Sequence, residues 1–143
     1  MMYNHPVMEK LLDSIEAKLI ELGIRDFQRK DDSISLLSGG EDGFSVHLWS
    51  DRPGVYIVNY GHYWHGHFET ESDALDWFFA GVTGQARLVC TYHWRYLVRS
   101  VVEISVDDQW EKADTTGSCL GVLVWWLPKR TMILRNEIVQ ASE

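Results

Sequence analysis

The spacing of the apolar residues changes along the chain, and this change is the strongest constraint on the fold. The first segment has a helical period of about 3.6 residues, carried by Met8, Leu11, Leu12, Ile15, Leu19 and Leu22. A second helical pattern follows the cap signal Thr70-Glu71-Ser72-Asp73 and ends by Gly84. Most of the remaining chain alternates with a period near two, which is typical of strands. Helices and strands that do not alternate regularly predict an α+β fold.

The strand patterns predict an antiparallel sheet. Three fall before the second helix and four after it: 34–37, 44–49, 55–60, 86–92, 97–106, 120–127 and a final strand that includes Ile133 and Leu134. Turn residues separate most of them, and residues 111–118 are polar enough to predict a mobile loop. We therefore expect one domain over residues 1–143, with about six or seven strands and both helices packed on one face of the sheet.

Residues 120–127 are apolar on both faces and include Trp125 and Trp126. Two positions in a fold suit such a strand: the centre of a sheet covered on both sides, or the interface of a homodimer. The sequence does not decide between a central strand and a homodimer formed through this strand.

Net charge and cysteine content exclude several classes of protein. The chain has 21 acidic and 13 basic residues, a net charge of −8, which argues against nucleic acid as a partner and favours a basic protein over DNA. It has no signal-peptide pattern and no apolar run of roughly 18 residues, so we expect a cytoplasmic protein with no membrane partner. Cys90 and Cys119 form no Cys-x-x-Cys pair and are expected to be unreactive free thiols.

The segment of residues 61–68 carries three of the six histidines. If it is extended, His65 and His67 point the same way, and His47, Glu69 or Glu71 could supply a third metal ligand. His62 could do so only if a turn lies between it and the other two. A metal-dependent hydrolase centred on this segment is therefore the alternative hypothesis. The simpler interpretation is that these rings cover apolar surface where a strand meets a helix. We favour the second interpretation and expect no metal or cofactor.

The aromatic content exceeds what a core of this size needs, with seven Trp, six Tyr and five Phe. Trp77 falls opposite the apolar stripe of the second helix, so it is either an exposed aromatic or a ring under a neighbouring loop. Tyr63, Trp64 and Trp94 lie near predicted turns or strand ends. We expect these four side chains to bind a protein partner or a small apolar ligand, because Tyr and Trp are effective interface anchors. The leading hypothesis is a non-enzymatic binding domain, in one version an acidic inhibitor of a basic protein.

The middle third of the chain resembles a group of small uncharacterised bacterial domains, some of them encoded on mobile gene cassettes. The resemblance is carried by Trp64-His65-Gly66-His67-Phe68 and by the following Ala74-Leu75, Phe78, Gly81 and Arg87-Leu88. It implies a bacterial origin. It transfers no activity or site residue, because none is established for that group.

Overall fold

The computed structural model describes residues 6–37, 41–117 and 120–136. These residues form three helices and nine strands. In chain order the elements are α1 (Pro6–Glu21), β1 (Phe27–Arg29), β2 (Ser33–Leu36), β3 (Val46–Arg52), β4 (Val55–Tyr60), β5 (Trp64–Phe68), α2 (Glu71–Thr83), β6 (Ala86–His93), β7 (Tyr96–Val106), β8 (Gln109–Gly117), α3 (Leu120–Leu123) and β9 (Lys129–Arg135).

The strands form two antiparallel sheets. The first is a five-stranded meander in the order β1-β2-β3-β4-β5, and the second has the order β8-β7-β6-β9. The α+β class is confirmed, whereas the prediction of one sheet with six or seven strands is wrong. The alternating patterns identify strands but not their partners, and two short strands, β1 and β5, were not recognised as strands.

The two predicted helices form where their sequence signals place them. Thr70 has extended backbone angles, and its hydroxyl oxygen accepts a hydrogen bond from the backbone N–H of Asp73 at 3.2 Å. This is the N-cap expected from the capping signal. Gly84 ends α2 at a φ of 77°, and a Cβ there would lie 2.5 Å from the backbone oxygen of Asn136. Only glycine therefore fits this helix end without strain.

One hydrophobic core joins both sheets and both long helices. The register of the first sheet places Val46 opposite Tyr60 and Leu48 opposite Val58, and all four are fully buried. The core continues through the apolar stripe of α1 and the inner side of α2 to Leu88 and other residues of the second sheet. Because α2 contacts β3, β4 and β5 as well as β6, it lies where the sheets meet.

Hydrogen bonds also connect the two sheets. The indole N–H of Trp64 donates to a carboxylate oxygen of Asp114 at 2.8 Å, which links β5 to β8. Asn136, just after β9, donates to the backbone oxygen of Gly81 and accepts from the backbone N–H of Phe44, both at 2.9 Å. Asn136 is 3% exposed, so its amide satisfies two backbone groups inside the core.

Two segments differ from the sequence prediction. Residues 120–127 are not a strand: they form the short helix α3 followed by a turn. Conversely, residues 109–117, most of which were expected to form a mobile loop, are the edge strand β8. All but one of the residues of β8 are exposed, so the strand is polar on both faces. It therefore has no alternation of apolar and polar residues by which a strand is recognised in the sequence. Cys119 lies outside the described residues, and Cys90 is buried with a free thiol.

Candidate binding surface

The predicted histidine segment is strand β5, and two of its histidines share one exposed face. The imidazole centroids of His65 and His67 are 5.3 Å apart. His47 lies on the same face, but Asn59 of β4 stands between His47 and His65 in the register. His62 precedes the strand and packs against Tyr63 with a centroid distance of 4.0 Å. The fold thus brings two of the four histidines close together and keeps His47 a strand away.

The described residues contain no group of three or more His, Cys, Asp or Glu side chains placed to hold a metal ion. A catalytic zinc site needs about three protein ligands and an open position. His65 and His67 supply two, and His47 is separated from them by Asn59 of β4. Within the described residues this face is therefore a polar and aromatic surface with an incomplete ligand set.

Of the four aromatic residues predicted at the surface, Trp64 is buried and Trp77 is half-buried. Trp64 is only 4% exposed, and its ring centroid lies 5.1 Å from that of Trp77 and 4.8 Å from that of Tyr60. Trp77 is half-buried and also packs against Phe68. The buried face of α2 carries Ala74, Phe78 and Gly81, and Trp77 borders this face. The rings of β4 and β5 therefore cover part of its side chain.

Of the other two predicted aromatics, only Trp94 is exposed. Tyr63 is half-buried beside the histidine strand, and Trp94 is 51% exposed. Trp94 lies in the β6–β7 turn with a φ of 57°, and its backbone N–H donates to the backbone oxygen of Pro128 at 2.6 Å. The guanidinium carbon of Arg95 lies 4.3 Å from the Trp94 ring centroid. The β6–β7 turn is thus attached to the connection between β8 and β9.

That connection carries the most exposed large apolar side chains of the described chain. We call residues 120–128 the tryptophan loop. Val122 is 75% exposed, Leu123 71%, Trp125 72% and Trp126 68%. Val124 is the buried exception, and α3 packs on β7, where a Cβ on Gly121 would contact Val98 at 3.5 Å. The loop therefore presents four large apolar side chains to solvent from an anchored backbone.

Sequence reasoning misplaced the tryptophan loop because a buried strand and an exposed apolar surface have the same composition. The apolar run of residues 120–127 shows no period that separates a covered face from an open one. Gly121 near the start of the run and Pro128 at its end both disfavour a central strand, because proline cannot donate a ladder hydrogen bond and glycine weakens a strand interior. The basic pair Lys129-Arg130 directly after the run was a further sign of a surface position.

Among the described residues, the cations beside the tryptophan loop form no ion pair with a carboxylate. The ion pairs of the described residues join Arg29 to Asp13 and Glu16, and Arg87 to Glu103. Arg95, Lys129 and Arg130 line an open groove together with Trp94 and Pro128.

Two of these cations lie over aromatic rings instead. Arg95 covers Trp94, and the Arg130 guanidinium carbon lies 4.8 Å from the centroid of Tyr92. Burial, with a smaller contribution from Tyr63, raises the pKa of Tyr92 to about 12, so its hydroxyl stays neutral beside Arg130. The tryptophan loop is thus bordered by positive charge.

The negative charge of the chain is concentrated elsewhere. Residues 1–85 contain 14 acidic and six basic residues, whereas residues 86–136 contain five acidic and seven basic ones. The β1–β2 turn, the β3–β4 turn and the β5–α2 junction meet at one end of the first sheet because the meander is antiparallel. Asp31, Asp32, Asp51, Glu69 and Glu71 lie there, and we call them the carboxylate rim.

A shallow pocket opens at the carboxylate rim. It is lined by Met8 and Tyr56 together with Asp32 and the β3–β4 turn. The Tyr56 hydroxyl donates to a carboxylate oxygen of Glu71 at 3.4 Å, and burial followed by the Glu71 charge raises the pKa of Tyr56. The rim is an acidic surface with a small apolar centre.

None of the helices in the described part of the chain is both long enough and apolar enough to cross a bilayer. Comparison with protein-family models, with curated proteins and with solved structures finds no match to this chain.

Proposed function

We propose that the chain is a non-enzymatic binding domain and that the tryptophan loop is its main contact surface. The observation that carries the proposal is the exposure of Val122, Leu123, Trp125 and Trp126 on one short connection. Contiguous exposed apolar groups on a folded protein mark sites of interaction more often than scattered ones do. Tryptophan in particular contributes a large buried area at a modest entropic cost.

The backbone of the tryptophan loop is held in place before any partner binds. Pro128 accepts the hydrogen bond from Trp94, and the backbone oxygen of Leu127 lies 3.1 Å from Nδ1 of His93. The backbone N–H of Leu127 also donates to the oxygen of Val124 at 2.9 Å. An ordered loop loses less conformational entropy on binding, which supports the loop as a contact surface.

The carboxylate rim is the part of the proposal that concerns a basic protein. Its five carboxylates lie at one end of the first sheet, whereas Arg95, Lys129 and Arg130 belong to β9 and the β6–β7 turn of the second sheet. A positively charged protein would therefore approach the rim, and its association would be accelerated by charge complementarity. In this version the domain is an acidic inhibitor that covers a basic surface.

Affinity capture from a bacterial lysate tests the tryptophan loop. Three forms of the full chain are compared: wild type, the double variant Trp125→Ser/Trp126→Ser, and Leu37→Ser as a control. Leu37 is 65% exposed but lies in the first half of the chain. Components held by wild type and by Leu37→Ser should be lost with the double variant. Equal capture by all three forms would overturn the proposal.

A matched pair of variants tests the carboxylate rim. Asp31→Asn/Asp32→Asn removes two charges from the rim, and Asp107→Asn/Asp108→Asn removes two from the turn before β8, where all four side chains are exposed. If a captured basic protein contacts the rim, only the first pair should slow its association rate, and added salt should slow wild type further. Equal rates for both pairs would remove the rim from the proposal.

The hydrolase alternative has one observation in its favour, the close pair of His65 and His67 on an exposed face. It requires a bound transition metal, which elemental analysis of untagged protein measures directly. One metal per chain that is lost in both His65→Ala and His67→Ala would replace the binding proposal with this one. The binding proposal expects the metal content to be unchanged by these substitutions.

A further inference from the structure

We infer that the partner of the tryptophan loop is an anionic lipid surface, to which the loop attaches the domain without spanning the bilayer. This inference rests on the proposed function, because it names the partner of the same contact surface. It draws on two independent properties of that surface, its apolar side chains and the cations around them.

The apolar side chains have the composition of a membrane-interface segment. Trp125 and Trp126 each combine a large apolar ring with an indole N–H, a combination that favours the headgroup level of a bilayer. Val122 and Leu123 add exposed aliphatic surface, and its transfer from water to the acyl chains is favourable. A short segment of this kind suffices for attachment, since only one face of a structure must enter the interface.

The surrounding cations complement anionic headgroups. Arg95, Lys129 and Arg130 border the groove beside the loop, and none of them forms an ion pair with a described carboxylate. The sequence has no acidic residue from 118 to 136 and none from 86 to 102. A negatively charged headgroup would thus meet Lys129 and Arg130 at the start of β9 and Arg95 in the neighbouring β6–β7 turn.

The net charge of −8 does not oppose this attachment strongly. Most of the negative charge belongs to residues 1–85, whereas residues 86–136 have an excess of basic residues. At physiological ionic strength charges are screened over about 8 Å, so the cations at the contact dominate over carboxylates elsewhere. The expectation of no membrane partner came from chain-wide charge and from the lack of a spanning segment, and neither describes a short apolar loop bordered by cations.

The same charges disfavour a second copy of the chain as the occupant. A two-fold dimer through the tryptophan loop would bring Arg95, Lys129 and Arg130 of one copy toward those of the other. Single-stranded RNA would match the cations and could stack on Trp125 and Trp126. RNA would leave the aliphatic side chains of Val122 and Leu123 exposed to water. A lipid surface would cover them together with the two tryptophans.

Co-sedimentation of the full chain with two kinds of vesicle tests the inference. One kind is pure phosphatidylcholine, and in the other phosphatidylserine makes up about one third of the lipid. We expect binding to the anionic vesicles to be roughly a hundredfold tighter than to the neutral ones, since each of the three cations near such a surface contributes roughly a fivefold factor. Added salt should reduce the difference.

Two pairs of variants separate the apolar contribution from the charge contribution. Trp125→Ser/Trp126→Ser should weaken binding to anionic vesicles by at least about tenfold, because two exposed rings no longer enter the interface. Arg95→Gln/Lys129→Gln should weaken it by roughly twentyfold or more, and binding to neutral vesicles should barely change. The controls Leu37→Ser and Lys10→Gln/Arg52→Gln, all exposed and outside the second sheet, should behave like wild type.

Several results would overturn the inference. One is a failure of the protein to bind anionic vesicles, and another is equal binding to both kinds of vesicle. A third such result is vesicle binding that is unchanged in the tryptophan and cation variants. Two others are single-stranded RNA that binds the loop more tightly than the vesicles, and a dimer in sedimentation that Trp125→Ser/Trp126→Ser dissolves.

Failure of the lipid inference can be told apart from failure of the proposed function. If vesicles do not bind but the tryptophan variant still loses material captured from lysate, the loop is a contact surface for another class of partner. If the variant changes neither vesicle binding nor capture, the loop is not a contact surface.

Discussion

Gly81 has no side chain because the ring of Tyr60 occupies the space beside it. A Cβ at residue 81 would lie 2.5 Å from Cε1 of Tyr60, which is fully buried. The Tyr60 hydroxyl also donates a hydrogen bond to the backbone oxygen of Trp77, so the ring cannot shift freely. At the scale of single residues, Gly81 therefore sets the distance between α2 and β4.

We expect Gly81→Ala to lower the free energy of unfolding by about 1–3 kcal/mol through overpacking. Gly121→Ala is the matched control, since its Cβ would meet Val98 at 3.5 Å, an ordinary van der Waals contact. Urea denaturation of both variants measures the difference. Similar free energies of unfolding for the two variants would show that the core can absorb the methyl group.

His47 should make stability depend on pH. Burial lowers its pKa below the ordinary value of 6.5, Lys30 lowers it further, and Asp32 acts in the opposite direction. As the pH falls below 6.5, the unfolded chain therefore binds a proton that the folded chain resists, and the free energy of unfolding falls until the pH passes the folded pKa. Above 6.5 this contribution to stability is fully present.

His47→Gln tests this dependence by removing the titrating group. Between pH 7 and about pH 5, the loss of stability should be smaller in the variant than in wild type, as measured by urea denaturation at a series of pH values. The imidazole is half-buried, so solvent reduces the effect. An identical pH profile for both proteins would contradict this role.

At the scale of elements, the sequence predicts best where a periodic pattern coincides with a cap or turn. α1 and α2 have a stripe of apolar residues, and α2 also has Thr70 at its start and Gly84 at its end. The hairpin of β6 and β7 is likewise confirmed, because its alternation meets a turn at residues 94 and 95. In these cases local chemistry alone selects the backbone conformation.

Prediction fails where an element depends on neighbours distant in sequence. β8 is held by pairing with β7 and by the bond from Trp64 to Asp114, and neither can be seen in its polar sequence. The two-sheet arrangement depends in part on Asn136, which connects the end of β9 to Gly81 and Phe44. The candidate site could not be predicted for the same reason. Whether Trp125 is exposed and Trp64 is buried depends on residues distant in sequence that do or do not cover each ring.

The tryptophan loop should contribute little to the stability of the folded chain. Trp125 and Trp126 are exposed, so Trp125→Ser/Trp126→Ser should change the free energy of unfolding by less than about 0.5 kcal/mol per residue. Trp64→Ser should instead lower it by about 3 kcal/mol or more, because a buried ring and its hydrogen bond to Asp114 are lost. Thermal unfolding of both variants makes the comparison. A large destabilisation by the double variant would show that the loop is part of the core.

At the scale of the whole molecule, the shared core predicts that both sheets unfold together. Buried residues of the first sheet, of α1 and α2 and of the second sheet form one cluster. Far-UV circular dichroism and tryptophan fluorescence should therefore report the same midpoint in urea, as expected for one cooperative domain. Two separate midpoints would instead show that each sheet is an independent unit.

The order of strands in the second sheet has a consequence for synthesis on the ribosome. β6 is an interior strand, yet its neighbour β9 is translated more than thirty residues after it. Until β9 emerges, the hairpin of β6 and β7 has an open edge in which Leu88 and Cys90 belong to the apolar face. Unpaired edges of this kind recruit other strands. A nascent chain stalled before β9 should thus be the form most prone to aggregate and the form that chaperones bind.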